Sequence, residues 1–391
     1  DKPPLPSADP VSHLVENVIV IDGSGAPARE GAVRFQGKRI LDVGSLARRP
    51  NDVVIDGGGR VLAPGFIDTH SHADSELFAQ PGALAAVSQG ITTVVIGQDG
   101  DSPFPLLDFR MQLLDNPIAV NVAAYSGHNT LRAHVMKTNY RRHATDPELA
   151  VMGQFLREDM QAGALGLATG LEYDPGIYAS TDEVIGLARI AAENGGRYIS
   201  HIRSEDRWFD EAIDEIVAIG QATGMPVQIS HIKLAMSKQW GRAVEVIARL
   251  DQARANGVDI TADIYPYEYW QSNMMVLLPE RDITDRSQVE LALTEIATPD
   301  GIWFTQFDPQ PDYVGKTLSE IARSRETDAV TAFMDLIALS EAMRAETGNG
   351  ADMIIGTSMQ EQDIETLLAW PHSNICTDGS LEDLHPRGAG A

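Results

Sequence analysis

Pro64-Gly65-Phe66-Ile67-Asp68-Thr69-His70-Ser71-His72 decides how the rest of the chain is read. Two histidines two residues apart on an extended strand point to the same face, so both imidazoles reach one metal ion. By itself a His-x-His pair is equally at home on a solvated surface. Its meaning changes because an apolar strand precedes it and later strand ends carry similar groups. These are His201 in YISHIR (198–203), His231 in QISHIK (228–233) and Asp378 in NICTDG (374–379). Parallel α/β barrels place catalytic groups at the C-terminal ends of their strands in this way. A metal site is the expectation.

Eight β-rich segments set the rhythm around that stretch: 61–68, 91–97, 118–125, 163–169, 198–203, 227–233, 258–265 and 374–378. Most are continuous apolar runs, as parallel strands buried on both faces require. Helical patterns lie between them. Thr145 with Glu148, Ser180 with Glu183 and Thr317 with Glu320 have the spacing of capping boxes, and Gly195-Gly196 and Gly257 fall where helices should stop. Eight β/α units in series predict an α/β fold of the (β/α)8 TIM-barrel type. A doubly wound sheet is the competing arrangement, and periodicity does not separate the two. Residues 1–59 read as an N-terminal tail and part of a small β subdomain, with short strands at 18–21, 32–36, 40–43 and 53–55. Residues 60–391 read as the barrel, with a helical insertion around 268–370 that holds more residues than one crossover needs.

Composition narrows the function. The chain has 391 residues, with 56 Asp and Glu against 30 Lys and Arg, for a net charge of −26. Such a balance disfavours nucleic acid and anionic membranes as partners, since both call for Lys and Arg. Hydrophobic residues make up 43% of the chain, enough for a substantial core, but no apolar run approaches a bilayer span. The single cysteine, Cys376, rules out an intramolecular disulfide framework; two residues before Asp378, it reads as barrel filler. The Pro-rich start at Asp1, DKPPLPSADP, is compatible with a mature end left by a signal peptide, so periplasmic or secreted residence is favoured over cytoplasmic. His13, His134, His143 and His372 look peripheral, and His128 could support either the site or its loop.

Taken together these residues resemble the amidohydrolase superfamily, and within it the D-aminoacylase (N-acyl-D-amino-acid deacylase) family. The matching segments are LAPGFIDTHSHA (62–73), GITTVV (90–95), GALGLATGLEY (163–173), HIRSE (201–205), VQISHIK (227–233), TADIYPY (261–267), MQEQD (359–363), CTDG (376–379) and HPR (385–387). The resemblance runs from about residue 14 to the end. It implies an amidohydrolase-type barrel with a small β-sandwich subdomain. It also implies one or two Zn2+ ions, or another divalent metal, held by His70, His72, His201 and His231, with Asp378 as ligand or general acid/base. Tyr173, Lys233, Tyr265 and Arg387 match positions that hold the substrate in the family.

The chain departs from that pattern twice. Asp99, in Gly97-Gln98-Asp99-Gly100, stands where the family has a metal-ligating cysteine, so a harder ligand replaces a thiolate. The fourth segment has no lysine, which closes the carboxylated-lysine route other amidohydrolases use. The chain also stops soon after Asp378, where the family continues with a last helix and the strands that complete the β subdomain. A second polypeptide or a C-terminal fragment is expected to complete the fold, and a homo-oligomer is a further option. The expected function is metal-dependent hydrolysis of N-acyl-D-amino acids or related small amides. Its alternatives are a dipeptidase or cyclic-amide hydrolase on the same scaffold, or a catalytically degenerate homologue.

Overall fold

A computed structural model gives the structure of the chain and describes residues 11–348 and 351–381. Two compact units divide between Phe66 and Ile67. The first is a five-stranded sheet. Its strands are β1 (Ser12–Val20), β2 (Arg29–Gln36), β3 (Arg39–Gly44), β4 (Asp52–Asp56) and β5 (Val61–Leu62), in the order β3-β2-β1-β4, with β5 also on β1. Val61 and Leu62 pair with Ile19 and Val20. The run 61–68 is therefore two strands, not one. Ala63-Pro64-Gly65 breaks it, because proline has no N–H to offer a ladder. Arg34 crosses this sheet buried, with Nη2 2.9 Å from Asp52 and Nη1 3.1 Å from Asp42.

The second unit carries strands β6 (Phe66–Asp68), β7 (Ile91–Ile96), β8 (Asn121–Ala124), β9 (Ser126–Gly127), β10 (Gly166–Gly170), β11 (Arg197–His201), β12 (Val227–Ile229) and β13 (Ile260–Ile264). After β13 come β14 (Tyr269–Ser272), β15 (Ile302–Phe307), β16 (Asp352–Thr357) and β17 (Ser373–Ile375). One sheet runs β6-β7-β8 and another runs β9-β10-β11-β12-β13-β17. The pairs from β9 to β17 are parallel, as is β7 with β8. Parallel neighbours need crossovers, and helices supply them: Asp146–Ala162, Thr181–Glu193, Phe209–Thr223 and Ala243–Ala255 alternate with the strands from β9 to β13. The chain is an α/β protein. No helix among the described residues is long and apolar enough to cross a membrane.

The start signals work with one exception. Glu148 accepts from the Thr145 backbone N–H at 2.8 Å, and Glu320 and Thr317 cap each other reciprocally. Ser180 accepts from the Glu183 N–H, but the Glu183 carboxylate turns away to Arg132 and His128. The fourth strand starts three residues later than its apolar pattern, because Gly163 takes a left-handed φ of 103° to end the preceding helix. The insertion between β13 and β17 is not only helical. It contains an antiparallel sheet, β14-β16-β15, whose pairing residues lie too far apart in sequence for a hairpin signal.

The core follows the apolar stripes of the helices. Leu156, Val184, Leu187, Ile213, Ile216 and Leu250 are almost fully buried against strand residues such as Leu167, Tyr198, Val227 and Ile260. Close strand packing demands one particular glycine. Gly166, paired with Arg197 across the ladder, sits at φ 152°, and a Cβ there would lie 1.8 Å from the Arg197 carbonyl oxygen. Gly166→Ala is expected to lower the unfolding free energy by about 3 kcal/mol, from overpacking and backbone strain together. Urea denaturation checks this, and an unmoved midpoint would show that the two strands part freely at this point.

Candidate metal centre

The strands of the second unit end at one cavity of about 1070 Å³, lined by His72, Asp99, Tyr173, His201, His231, Lys233, Tyr265 and Asp378 among others. Three of these lie just past a strand end, in a left-handed backbone that non-glycine residues seldom adopt: Asp99 at φ 53°, His231 at 34° and Asp378 at 48°. Such strain is held only where the surroundings over-determine it. Gly170 helps at Asp99, since any Cβ on it would lie 2.0 Å from the Asp99 carbonyl oxygen.

Ligand-type atoms of His70, Asp99, His231 and Asp378 all fall within 4.8 Å of one another, and His201, Glu205 and His231 form a second such group. His231 belongs to both. His70 Nε2 is 3.3 Å from Asp378 Oδ1 and 3.5 Å from Asp99 Oδ1. At the rim, half-exposed His72 has its Nε2 3.1 Å from Asp378 and 3.5 Å from Asp99. His201 Nδ1 lies 3.1 Å from His231 Nε2, which is itself 3.3 Å from Asp99 Oδ1. All six residues read from the sequence as metal-site candidates thus meet. Of the substrate candidates, Tyr173 tilts its ring against that of His201, with centroids 4.4 Å apart, and the Tyr265 ring lies 6.2 Å from that of His231. Arg387 lies outside the described residues.

Lys233 is more committed than a waiting substrate anchor. It is buried, and its ammonium lies 2.6 and 2.7 Å from the two Glu205 oxygens and 2.8 Å from His231 Nδ1. An ammonium has three protons, and these three partners match them. Burial works against the charge on Glu205, but Lys233 prevails and draws its carboxyl down to about 2.

Three carboxylates were not picked out from the sequence. Glu172 Oε2 lies 2.9 Å from His201 Nε2, and burial, then the charges of Asp206 and Glu205, push its carboxyl well above the usual range. Glu205 lies one helical turn's spacing after His201. Asp263, fully buried, accepts from the Gln228 amide at 2.6 Å and the His231 backbone N–H at 2.5 Å, and lies 3.4 Å from His70 Nδ1. Its signal was present: an aspartate inside an apolar strand, ITADI, has to be there for a reason. Cys376 packs beneath, its thiol donating to Asp263 at 3.4 Å. His128 belongs elsewhere, with Glu183 at 3.0 Å.

A divalent ion fits these residues. Both ring nitrogens of His70 and Oδ1 of Asp99 are buried without a hydrogen-bond partner among the described residues. Asp99, Glu172, Glu205, Asp263 and Asp378 crowd the histidines, with Lys233 the permanent cation beside them. Burial opposes charge on His72, yet its bonds to Asp378 and Asp99 lift it to about 10. Burial drives His201 the other way, to about 4, which favours a neutral ring with one nitrogen lone pair to offer. Imidazoles and carboxylates together suit zinc and its divalent neighbours.

Comparison with known proteins gives the same picture. A family described as the amidohydrolase family matches residues 53–298. The N-acyl-D-glutamate deacylase of Alcaligenes xylosoxydans xylosoxydans is 36% identical over 395 residues, covering 95% of this chain and 75% of that protein. The D-aminoacylase of the same organism is 32% identical over 402 residues, 97% of this chain and 76% of that one. Among solved structures, N-acyl-D-glutamate deacylase from Bordetella bronchiseptica, complexed with zinc and a phosphonate mimic of the tetrahedral intermediate, is similar at a TM-score of 0.81. That structure is 32% identical and is matched over 95% of this chain and 76% of its own.

Lys233 provides the test of how the cluster is balanced. Lys233→Met strands the buried Glu205 carboxylate and is expected to lower stability by about 3 kcal/mol, the cost of breaking a buried pair on one side. Chemical denaturation measures it. Unchanged stability would mean that the ammonium is not needed to hold Glu205 and is free for substrate.

Proposed function

Because this chain belongs to the amidohydrolase family, we propose that it is a metal-dependent hydrolase of N-acyl-D-amino acids. The observation that carries the reading is the convergence of His70, Asp99, His231 and Asp378 within 4.8 Å beside the cavity. His70, His72, His201, His231 and Asp99 would hold the metal, with Asp378 beside them. When bound, a divalent ion such as zinc supplies Lewis acidity and lowers the pKa of water toward neutrality. The strands that carry these residues are proposed to close into a (β/α)8 barrel. Supporting this, β8 and β9 are nearly continuous, and at the other end Ser71 bridges Gly379 in parallel while the Asp378 N–H donates to the His70 carbonyl at 2.9 Å. The five-stranded sheet would then be part of the small β-sandwich.

In this reading Asp378 is the proton shuttle. Set between His70 and His72 at 3.3 and 3.1 Å, its carboxylate meets two imidazoles and lines the cavity. It takes a proton from the attacking water and delivers it to the leaving amide nitrogen, the two halves of general base and general acid catalysis. Tyr173 and Tyr265, with Arg387, would receive the substrate's α-carboxylate. Lys233 contributes positive potential to the same end of the cavity while keeping its protons on Glu205 and His231.

Two measurements test this. Elemental analysis of zinc-supplemented protein should find bound metal that falls in His70→Ala, and metal-free protein after supplementation would remove the main support. Asp378→Asn should retain metal and lower kcat on an N-acyl-D-amino acid by about a thousandfold, with KM little changed. Near-normal kcat in that variant would assign the proton transfer to another group.

A further inference from the structure

Among the described residues, the cavity wall carries four Lys and Arg side chains: Arg141, Lys233, Arg281 and Arg344. Three are already paired. Lys233 is held on Glu205 at 2.6 Å, Arg281 on Asp174 at 2.8 Å, and Arg344 lies 3.3 Å from Glu341 and 3.4 Å from Asp352. Arg141 differs. Its guanidinium lies over the Tyr140 ring, 5.9 Å from the centroid, and no carboxylate among the described residues lies within ion-pair distance of it.

Its backbone, in contrast, is firmly fastened. Arg132 is completely buried, and its Nη2 donates to the carbonyls of both neighbours of Arg141: Tyr140 at 3.0 Å and Arg142 at 2.8 Å. Nη1 of Arg132 is anchored on Glu183, which also accepts from the Ala144 N–H at 3.3 Å and meets His128 at 3.0 Å. Beside it, Arg142 grips Glu148 with two bonds at 2.7 and 2.8 Å, and the Tyr140 hydroxyl donates to Asp174 at 3.1 Å. The loop around Arg141 is thus set in place by a buried polar cluster, while the guanidinium itself meets Tyr140 and no carboxylate among the described residues. With the backbone fixed, only the side chain has to be ordered on meeting an anion, and the planar guanidinium fork suits a carboxylate.

We propose that Arg141 is a specificity-determining residue that receives a second carboxylate, on the substrate's side chain. The site would then favour N-acyl derivatives of acidic amino acids over those of their amides. The inference rests on the amide-hydrolase reading. The side-chain carboxylate is the one assigned because Arg141 neighbours Tyr140, which in turn packs on Tyr178. None of these belongs to the histidine and carboxylate cluster. An α-carboxylate sits one carbon from the scissile amide and has to stay close to that cluster; a side-chain carboxylate lies several bonds farther out.

The test compares N-acetyl-D-glutamate with N-acetyl-D-glutamine, which has nearly the same shape without the charge, in the wild-type chain and in Arg141→Gln. The wild type should prefer the acid, and the ratio of the two kcat/KM values should fall at least about tenfold in the variant, mainly through KM. Arg141→Lys, which keeps the charge and loses the fork, should recover part of the ratio. An unchanged ratio in Arg141→Gln, whatever happens to the absolute rates, overturns the proposal. Should neither compound be hydrolysed, calorimetric titration of the same pair reads the same preference. Its presence in the wild type and loss in the variant support Arg141 and count against the hydrolase reading alone, whereas equal binding of acid and amide overturns the role of Arg141.

Discussion

A fully buried carboxylate, Asp263, is the point on which the centre depends. It sits on β13, takes the Gln228 amide from the neighbouring strand and the His231 N–H from the chain just beyond it, and faces His70 from the other side. A charge so far from water is tolerated only where several donors surround it. That requirement fixes three separate stretches of chain against one another. His231 is bent into its left-handed backbone by the bond its own N–H makes to Asp263, so the orientation of a ligand-bearing ring follows from where one acid is buried. Cys376, one layer beneath, completes the surroundings with a weak thiol donor.

Charge balance explains the next layer. Glu205 is stable in the interior because Lys233 accompanies it, and Lys233 is stable there because Glu205 and His231 take all its protons. Glu172 has no Lys or Arg within ion-pair distance among the described residues, and burial, then the charges of Asp206 and Glu205, push its carboxyl up beside His201. The surroundings of His201 thus drive its two neighbouring carboxyl groups in opposite directions. The difference comes from which of them the lysine touches. The same logic gives Lys233 a structural duty that its sequence position at a cavity mouth did not reveal: the family resemblance pointed to substrate, and the geometry adds an obligate internal partner.

How much could be read beforehand depended on how local the signal was. His70 and His72 announce themselves by spacing on one strand, and His201, His231 and Asp378 by standing at strand ends; all of them converge in space. Asp99 was found only by resemblance, since a turn aspartate beside glycine has an ordinary explanation. Glu172, Glu205 and Asp263 were missed because their meaning lies in partners 28 or more residues away along the chain. The antiparallel sheet of β14, β15 and β16 was missed for the same reason, its strands being separated by helices. Glu183 shows the reverse error. Its spacing from Ser180 is that of a capping box, and the local rule would have satisfied it, yet the buried Arg132 guanidinium and the His128 imidazole compete for the carboxylate more strongly than a backbone N–H does.

That diverted carboxylate links the interior to the cavity mouth. Glu183 neutralises Arg132, and Arg132 then spends its remaining donors on two loop carbonyls rather than on another acid. A buried ion pair of this kind adds little net stability over an apolar replacement, because desolvation offsets most of the attraction. What it does provide is direction: guanidinium hydrogen bonds fix the positions of the carbonyls they reach, which apolar packing does not. The loop bearing Arg141 is therefore held by polar geometry, as is the histidine cluster around Asp263, and both line the same cavity. A substrate that reached both would have to match the spacing of these groups, so the length of the molecule as well as its chemistry would decide which substrates satisfy both.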